Sequence, residues 1–293
     1  MRVIALLCCV VSMAATSTAP VVSEGLATQI ALDRAGFSPG EIDGRAGKNL
    51  ERAMAAYKQS HEDDLSLLGD APPLIDYTIT DADVAGPFTP DIPPNLPDQA
   101  ALDALNYRTP LEAIAERFHS SPTLLQKLNP GATFQKAGER IMVPNVASPA
   151  PPALPASDIT VVVTRSTSAL TIEDAKGQIL LHAPVTSGSI HDPLPIGTWK
   201  VNGVQRNPKF HYNPELFWDA TPGDRKATLQ PGPNNPVGIV WIDLSKPHYG
   251  IHGTPEPSKI GHVESHGCVR LTNWDADRVA QWVKPGTKVV FRE

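Results

Sequence analysis

Ile251-His252-Gly253-Thr254 and, after ten intervening residues, Ser265-His266-Gly267-Cys268-Val269-Arg270-Leu271 decide how this chain of 293 residues is read. The span they enclose holds three of the nine histidines and the only cysteine outside the extreme N-terminus. A thiol attacks as thiolate, and a neighbouring imidazole is the usual base that generates it near neutral pH. His252 and Cys268 lie sixteen positions apart, so they meet only if the chain folds back. Gly253, Gly261 and Gly267, with Pro255 and Pro257, supply such a loop. Acyl transfer also needs N–H donors where a carbonyl oxygen turns negative. The backbone of Gly267 and Cys268 suits that task, because a residue without Cβ lets substrate approach the main chain. Arg270 adds a planar cationic fork fitted to a substrate carboxylate or a fixed internal partner.

Outward from this stretch, residues 158–293 alternate with a period of two. Residues 159–164 and 169–172 read as a hairpin, and residues 178–185 follow a Lys176-Gly177 turn. Residues 197–201, 237–242 and 288–291 add strands, and one helix is expected over 274–283, capped by Asn273 and stopped by Pro285-Gly286. A stretch of this length suffices for a mostly-β sandwich or barrel with its own core. Residues 207–229, rich in aromatic and proline residues, are a candidate substrate lid.

Upstream the pattern changes. In residues 20–62 Leu26, Ile30 and Leu32, then Leu50, Met54, Ala55 and Tyr57, recur at helical spacing around a glycine-rich break. Residues 63–105 carry clustered prolines and read as linker. In residues 106–146 a helix starts at Thr109-Pro110, a second follows Ser121-Pro122, and Arg140-Ile141-Met142-Val143-Pro144 reads as a short strand. Residues 147–157 form a second proline linker. The expected architecture is therefore multidomain, with two small modules ahead of the β-rich one.

Residues 1–19 read as an export signal: Met1-Arg2 is the basic start, an apolar run follows, and Ala14, Ala15, Ser17 and Ala19 offer cleavage positions. A membrane anchor is the competing reading, but the run is shorter than the roughly 18–20 residues a spanning helix needs. Cleavage removes Cys8 and Cys9 and leaves Cys268 as the single thiol of an exported protein, which points to a reactive group. The net charge of -6 gives no support to nucleic-acid binding. No Walker loop or Gly-rich dinucleotide fingerprint is present, so no nucleotide cofactor is expected.

Three resemblances attach to these segments. Residues 29–37 and 39–47 resemble the small helical peptidoglycan-binding modules of bacterial wall enzymes. Residues 110–118, Leu128-Asn129-Pro130 and 140–144 resemble a LysM module, which binds the N-acetylated glycan of bacterial wall. His252-Gly253-Thr254, Ile260-Gly261 and residues 265–271 resemble the signature of the L,D-transpeptidases, the YkuD-type catalytic domain. Pro195-Ile196-Gly197-Thr198-Trp199, residues 232–238, Tyr249-Gly250-Ile251 and residues 283–289 agree with it.

That last resemblance implies a β-rich fold and a ping-pong acyl transfer without cofactor or metal. Cys268 would attack the amide between the L-centre of diaminopimelate and the terminal D-alanine of a tetrapeptide stem. His252 would be the base, oriented by a main-chain carbonyl, with Gly253 the candidate. Gly267, His266, Tyr249, Arg270 and Ser265 would line the site or hold the oxyanion. The implied partners are peptidoglycan stem peptides and glycan, with another stem or an outer-membrane lipoprotein as acyl acceptor, in the periplasm. Two other readings compete: a non-catalytic wall-binding protein, and a zinc-dependent wall hydrolase using His252, His262, His266 and Cys268.

Overall fold

Residues 22–62, 68–146, 159–263 and 267–293 are described by the structure, a computed structural model. The expected export signal at 1–19 and the linker at 147–157 lie outside them. Among the described residues no helix is long and apolar enough to cross a membrane.

The N-terminal unit pairs α1 (Glu24–Arg34), capped by the Ser23 side chain, with α2 (Lys48–Ser60). Next come β1 (Leu74–Thr78), α3 (Asp81–Ala85), α4 (Leu96–Gln99), α5 (Pro110–Arg117), α6 (Pro122–Leu128) and β2 (Arg140–Pro144). Here the structure corrects the expected linker over 63–105. Residues 74–78 are a strand, paired antiparallel with β2 from Leu74 opposite Pro144 to Thr78 opposite Arg140. The second module thus begins some thirty residues earlier than its expected start at 106. With α3 and α4 carried in the excursion after β1, it is a strand–helix–helix–strand unit of β1, α5, α6 and β2 whose core joins Ile79, Ile114, Leu125, Phe134, Ile141 and Val143. The prolines of this segment fall before β1, at 72 and 73, or after it, from 87 to 97, where they remove no ladder hydrogen bond.

Residues 160–292 hold β3 (Thr160–Thr164), β4 (Ala169–Glu173), β5 (Ile179–Pro184), β6 (Thr186–Ser187), β7 (Gly197–Arg206), β8 (Phe210–Tyr212), β9 (Ala227–Leu229), β10 (Val240–Leu244), β11 (Gly250–His252), β12 (Val269–Arg270), α7 (Asn273–Trp282) and β13 (Lys288–Arg292). Nine of the strands make one sheet in the order β5-β4-β3-β13-β7-β10-β11-β12-β6. The long β7 serves both halves, pairing its first part with β13 and its second with β10. At the other side β5 pairs with β4, and β6, one residue later in the chain, pairs with β12. The sheet is thereby folded into the expected barrel-like form. Inward residues alternate along the strands: Val161 and Val163, Leu170 and Ile172, Leu181 and Ala183, Val240, Ile242 and Leu244, Val289 and Phe291. Helix α7 contributes Ala276, Val279 and Ala280 to the same core. It starts one residue earlier than expected. Thr272, not Asn273, caps it by accepting from the Asp275 N–H at 3.1 Å, because the Asn273 side chain is committed elsewhere.

The upstream units are fused to the barrel. The Ser38 N–H donates to the His182 carbonyl and the His182 N–H to that of Gly36, so the turn after α1 rides on β5. Leu32, Phe37, Ala53, Tyr57 and Ile179 close a shared core there. Asp33, fully buried, accepts from Arg278 on α7 at 2.8 Å and from His119 at 2.9 Å. Burial raises its carboxyl pKa, but Arg278 and His119 outweigh that and hold it well below 3.8. Its stabilising contribution is then present above that ordinary value and is lost as pH falls further. Asp33→Asn should cost about 3 kcal/mol near neutral pH by removing the charge that pairs with the buried Arg278 guanidinium at 2.8 Å, leaving it Asp275 at 3.7 Å. In urea titrations across a pH series, the gap to wild type should narrow below about pH 4.

Candidate active site

Strands β11 and β12 run parallel, with Ile251 opposite Val269 and His252 opposite Arg270. Ile251 and Val269 are sealed in the barrel core. Strand alternation therefore turns Gly250, His252, Arg270 and Cys268, just ahead of β12, to the other face. The position beside Cys268 in this register belongs to Gly250, which has no side chain. His252 sits one step further along, a diagonal neighbour of the thiol across that gap.

His252 is buried, and its Nδ1 donates to the Gly253 carbonyl at 2.7 Å. That bond leaves the lone pair on Nε2. The ring stacks on Trp241, its partner across β10, with centroids 5.5 Å apart and planes at 21°. Burial drives the imidazole pKa down to about 3, the Arg270 charge adds to this, and the Gly253 carbonyl opposes it. Cys268 is half-buried, and its thiol donates to the His248 carbonyl at 3.7 Å. Burial raises its pKa, a backbone bond to Gly250 and the Arg270 charge lower it, and Asp192 raises it again. The resting pair is therefore neutral thiol and neutral imidazole. That state keeps Nε2 of His252 free of a proton, as the role of base expected for it from the sequence requires.

Tyr249 packs its ring on Gly267, whose φ of +94° and lack of Cβ permit the approach; a side chain there would lie 2.9 Å from the ring. Burial, Asp192 and Cys268 raise the phenol pKa. Arg270, opposite His252, is lowered by burial and raised by Cys268, Glu256 and Asp219. The structure thus gathers Cys268, His252, Gly253, Tyr249, Gly267 and Arg270, whereas Ser265 and His266 lie outside the described residues. Among the described residues no group of three or more His, Cys, Asp or Glu is placed to hold a metal ion.

Sequence reasoning missed three residues here. Trp241 alternates with the inward Val240 and Ile242, a pattern that marked it as outward but not as the ring against His252. Gly250 leaves room for that indole, since a Cβ would lie 2.5 Å from it. Asp192 belongs to a loop joined to the expected lid through His191, which stacks on Trp218 at 4.4 Å. Only their spatial juxtaposition reveals these three.

A barrel-like sheet carrying a cysteine–histidine pair on its outer face, beside an arginine, defines an enzyme site. A model of the L,D-transpeptidase catalytic domain matches residues 158–291. YkuD of Bacillus licheniformis is 32% identical over 181 residues, which covers 61% of this chain and 91% of that protein. YkuD of Bacillus subtilis is 31% identical over 62% of this chain and 92% of its own length. YbiS of Escherichia coli is 29% identical over 62% and 60%. The chain belongs to the L,D-transpeptidase family of enzymes.

Gly250→Ala should displace Trp241 and loosen the His252 ring. A loss of activity of roughly tenfold or more is expected, against a small change in melting temperature. Turnover measured beside thermal unfolding checks this.

Proposed function

We propose that this enzyme forms a thioester on Cys268 from the tetrapeptide stem of peptidoglycan and passes the acyl group to an amine. The observation that carries the reading is the parallel pairing of β11 with β12, which sets His252 and Cys268 on one outward face with Nδ1 already committed to Gly253. As Sγ attacks the carbonyl carbon between diaminopimelate and D-alanine, its proton passes to Nε2 of His252. The C–N bond breaks, that proton leaves on the D-alanine amine, and the thioester remains. An incoming amine then attacks, gives its proton to Nε2, and the C–S bond breaks to restore the thiol. Backbone N–H groups of Gly267 and Cys268 hold the oxyanion. Arg270, Tyr249, Ser265 and His266 line the substrate channel. The acceptor is the diaminopimelate amine of another stem, giving a 3→3 cross-link, or a lysine of an outer-membrane lipoprotein.

The location that fits this chemistry is the periplasm, reached through the signal at 1–19. We assign the strand–helix–helix–strand unit to glycan binding as a LysM-like module, and the α1–α2 unit to wall binding. In support, β1 pairs with β2 and the strand–helix–helix–strand unit encloses a core of its own.

Incubation with a carbapenem, whose ring mimics the scissile amide, should add one mass equivalent on Cys268 and none in Cys268→Ala. Defined muropeptides should yield cross-linked dimers with release of D-alanine; a chain that never gains mass from either would end the reading. With the imidazole pKa near 3 and the thiol raised, carbapenem acylation should be flat from about pH 5 to about pH 8. A break near pH 6.5 would show that His252 titrates normally.

A further inference from the structure

We infer that Glu116, on helix α5 of the upstream module, is a positioning residue that acts through Asn273 on the carbonyl orienting His252. The inference rests on the proposed role of His252 as base, but the contacts behind it stand on their own.

Asn273, the first residue of α7, is fully buried. Its Oδ1 lies against the α-carbons of Gly238 and Gly253, so closely that a Cβ on either glycine would overlap it. The same oxygen accepts the Ile239 N–H at 3.2 Å. Its Nδ2 donates to Glu116 Oε1 at 3.0 Å and to the Pro233 carbonyl at 3.1 Å. Glu116 Oε1 also accepts the Tyr107 hydroxyl at 3.0 Å. Donors and acceptors fix which way the amide faces: Nδ2 toward two acceptors, Oδ1 toward the Ile239 N–H and the two glycines. Gly253 is the residue whose carbonyl holds His252 Nδ1. A shift of the Asn273 amide therefore moves the atom that selects the imidazole tautomer and aims Nε2.

Removing the Glu116 acceptor strands a buried amide hydrogen, a state that costs more than the bond itself contributes. The amide then gains by turning, and Gly253 loses the surface it is seated on. An ordinary inter-module hydrogen bond would add stability alone. This one ends one residue from the catalytic histidine, in a packed region where small shifts are transmitted rather than absorbed. Burial raises the Glu116 carboxyl pKa to about 7 against the hydrogen bonds from Asn273 and Tyr107, with Glu112 nearby raising it further. A neutral Gln at this position keeps the same acceptor oxygen.

The test uses the full chain as wild type, Glu116→Ala and Glu116→Gln. Readouts are carbapenem acylation of Cys268 across reagent concentrations, thermal unfolding, and the ¹⁵N resonances of the His252 ring. Glu116→Ala should acylate about tenfold more slowly at saturation with unchanged apparent affinity, the effect of one stranded hydrogen bond. Its His252 Nδ1–H signal should shift or broaden, and Glu116→Gln should restore both rate and signal to within about twofold of wild type. Wild-type rate and an unchanged His252 signal in Glu116→Ala, whatever its melting temperature, would overturn the inference. Equal losses in both variants that follow their melting temperatures would also overturn it. If wild type takes up no carbapenem, the functional reading falls. The His252 signal then decides this point alone: altered in Glu116→Ala it upholds the positioning, unaltered it refutes it.

Discussion

The hydrogen bond from His252 Nδ1 to the Gly253 carbonyl decides which ring nitrogen is left to accept a proton. It does so in a site where the ring is buried, stacked on Trp241 and faced by Arg270, so that the imidazole stays uncharged. A charged ring at that place would be shut off from solvent and repelled by the Arg270 guanidinium. The arrangement around it follows from that constraint. Gly253 has no Cβ because Asn273 occupies the space, and Gly250 has none because the Trp241 indole does. The barrel strands supply the register that brings Cys268 alongside.

Cys268 and His252 stood out as a candidate pair from sequence because they are rare residue types in a glycine-rich setting. Six of the strands in residues 160–292 were readable too, since alternation such as that of Val161 and Val163 or Leu170 and Ile172 has one physical cause, whereas β6, β8, β9, β11 and β12, of two or three residues each, are too short to show a period. β1 was not, because its five residues stand just after Pro72-Pro73 and before a proline-laden excursion, so local composition masked a pairing partner more than sixty residues away. Asn273 was legible as a cap by residue type, yet Thr272 does that work. A long-range partner such as Glu116 leaves no trace in neighbouring sequence. Ser265 and His266 were named from sequence and stand outside the described residues.

The junction between the units explains how a chain punctuated by so many prolines holds together. Helices α1 and α2 share a core with β5, and Asp33 joins α1, His119 and α7 in one buried ion cluster. Leu124 and Leu128 of α6 pack with Leu26, Ile30 and Ile42, so the two upstream units also share a core with each other. Asn234 reaches from the barrel to Glu112 and to the Asn106 carbonyl. The described part of the segment that composition marks as a spacer, residues 68–105, is in fact mortar between blocks, because its apolar residues find partners in elements far away in the chain.

One such segment touches the hairpin formed by β8 and β9. Leu105, with Ile92, Leu96 and Leu102 around it, packs against Tyr212, Leu229, Phe210 and Phe217 at the hairpin's root. The root is thus clamped from outside the barrel. Phe217, which lies between the two strands, belongs to the same cluster, so the clamp reaches past the paired residues into the loop that joins them.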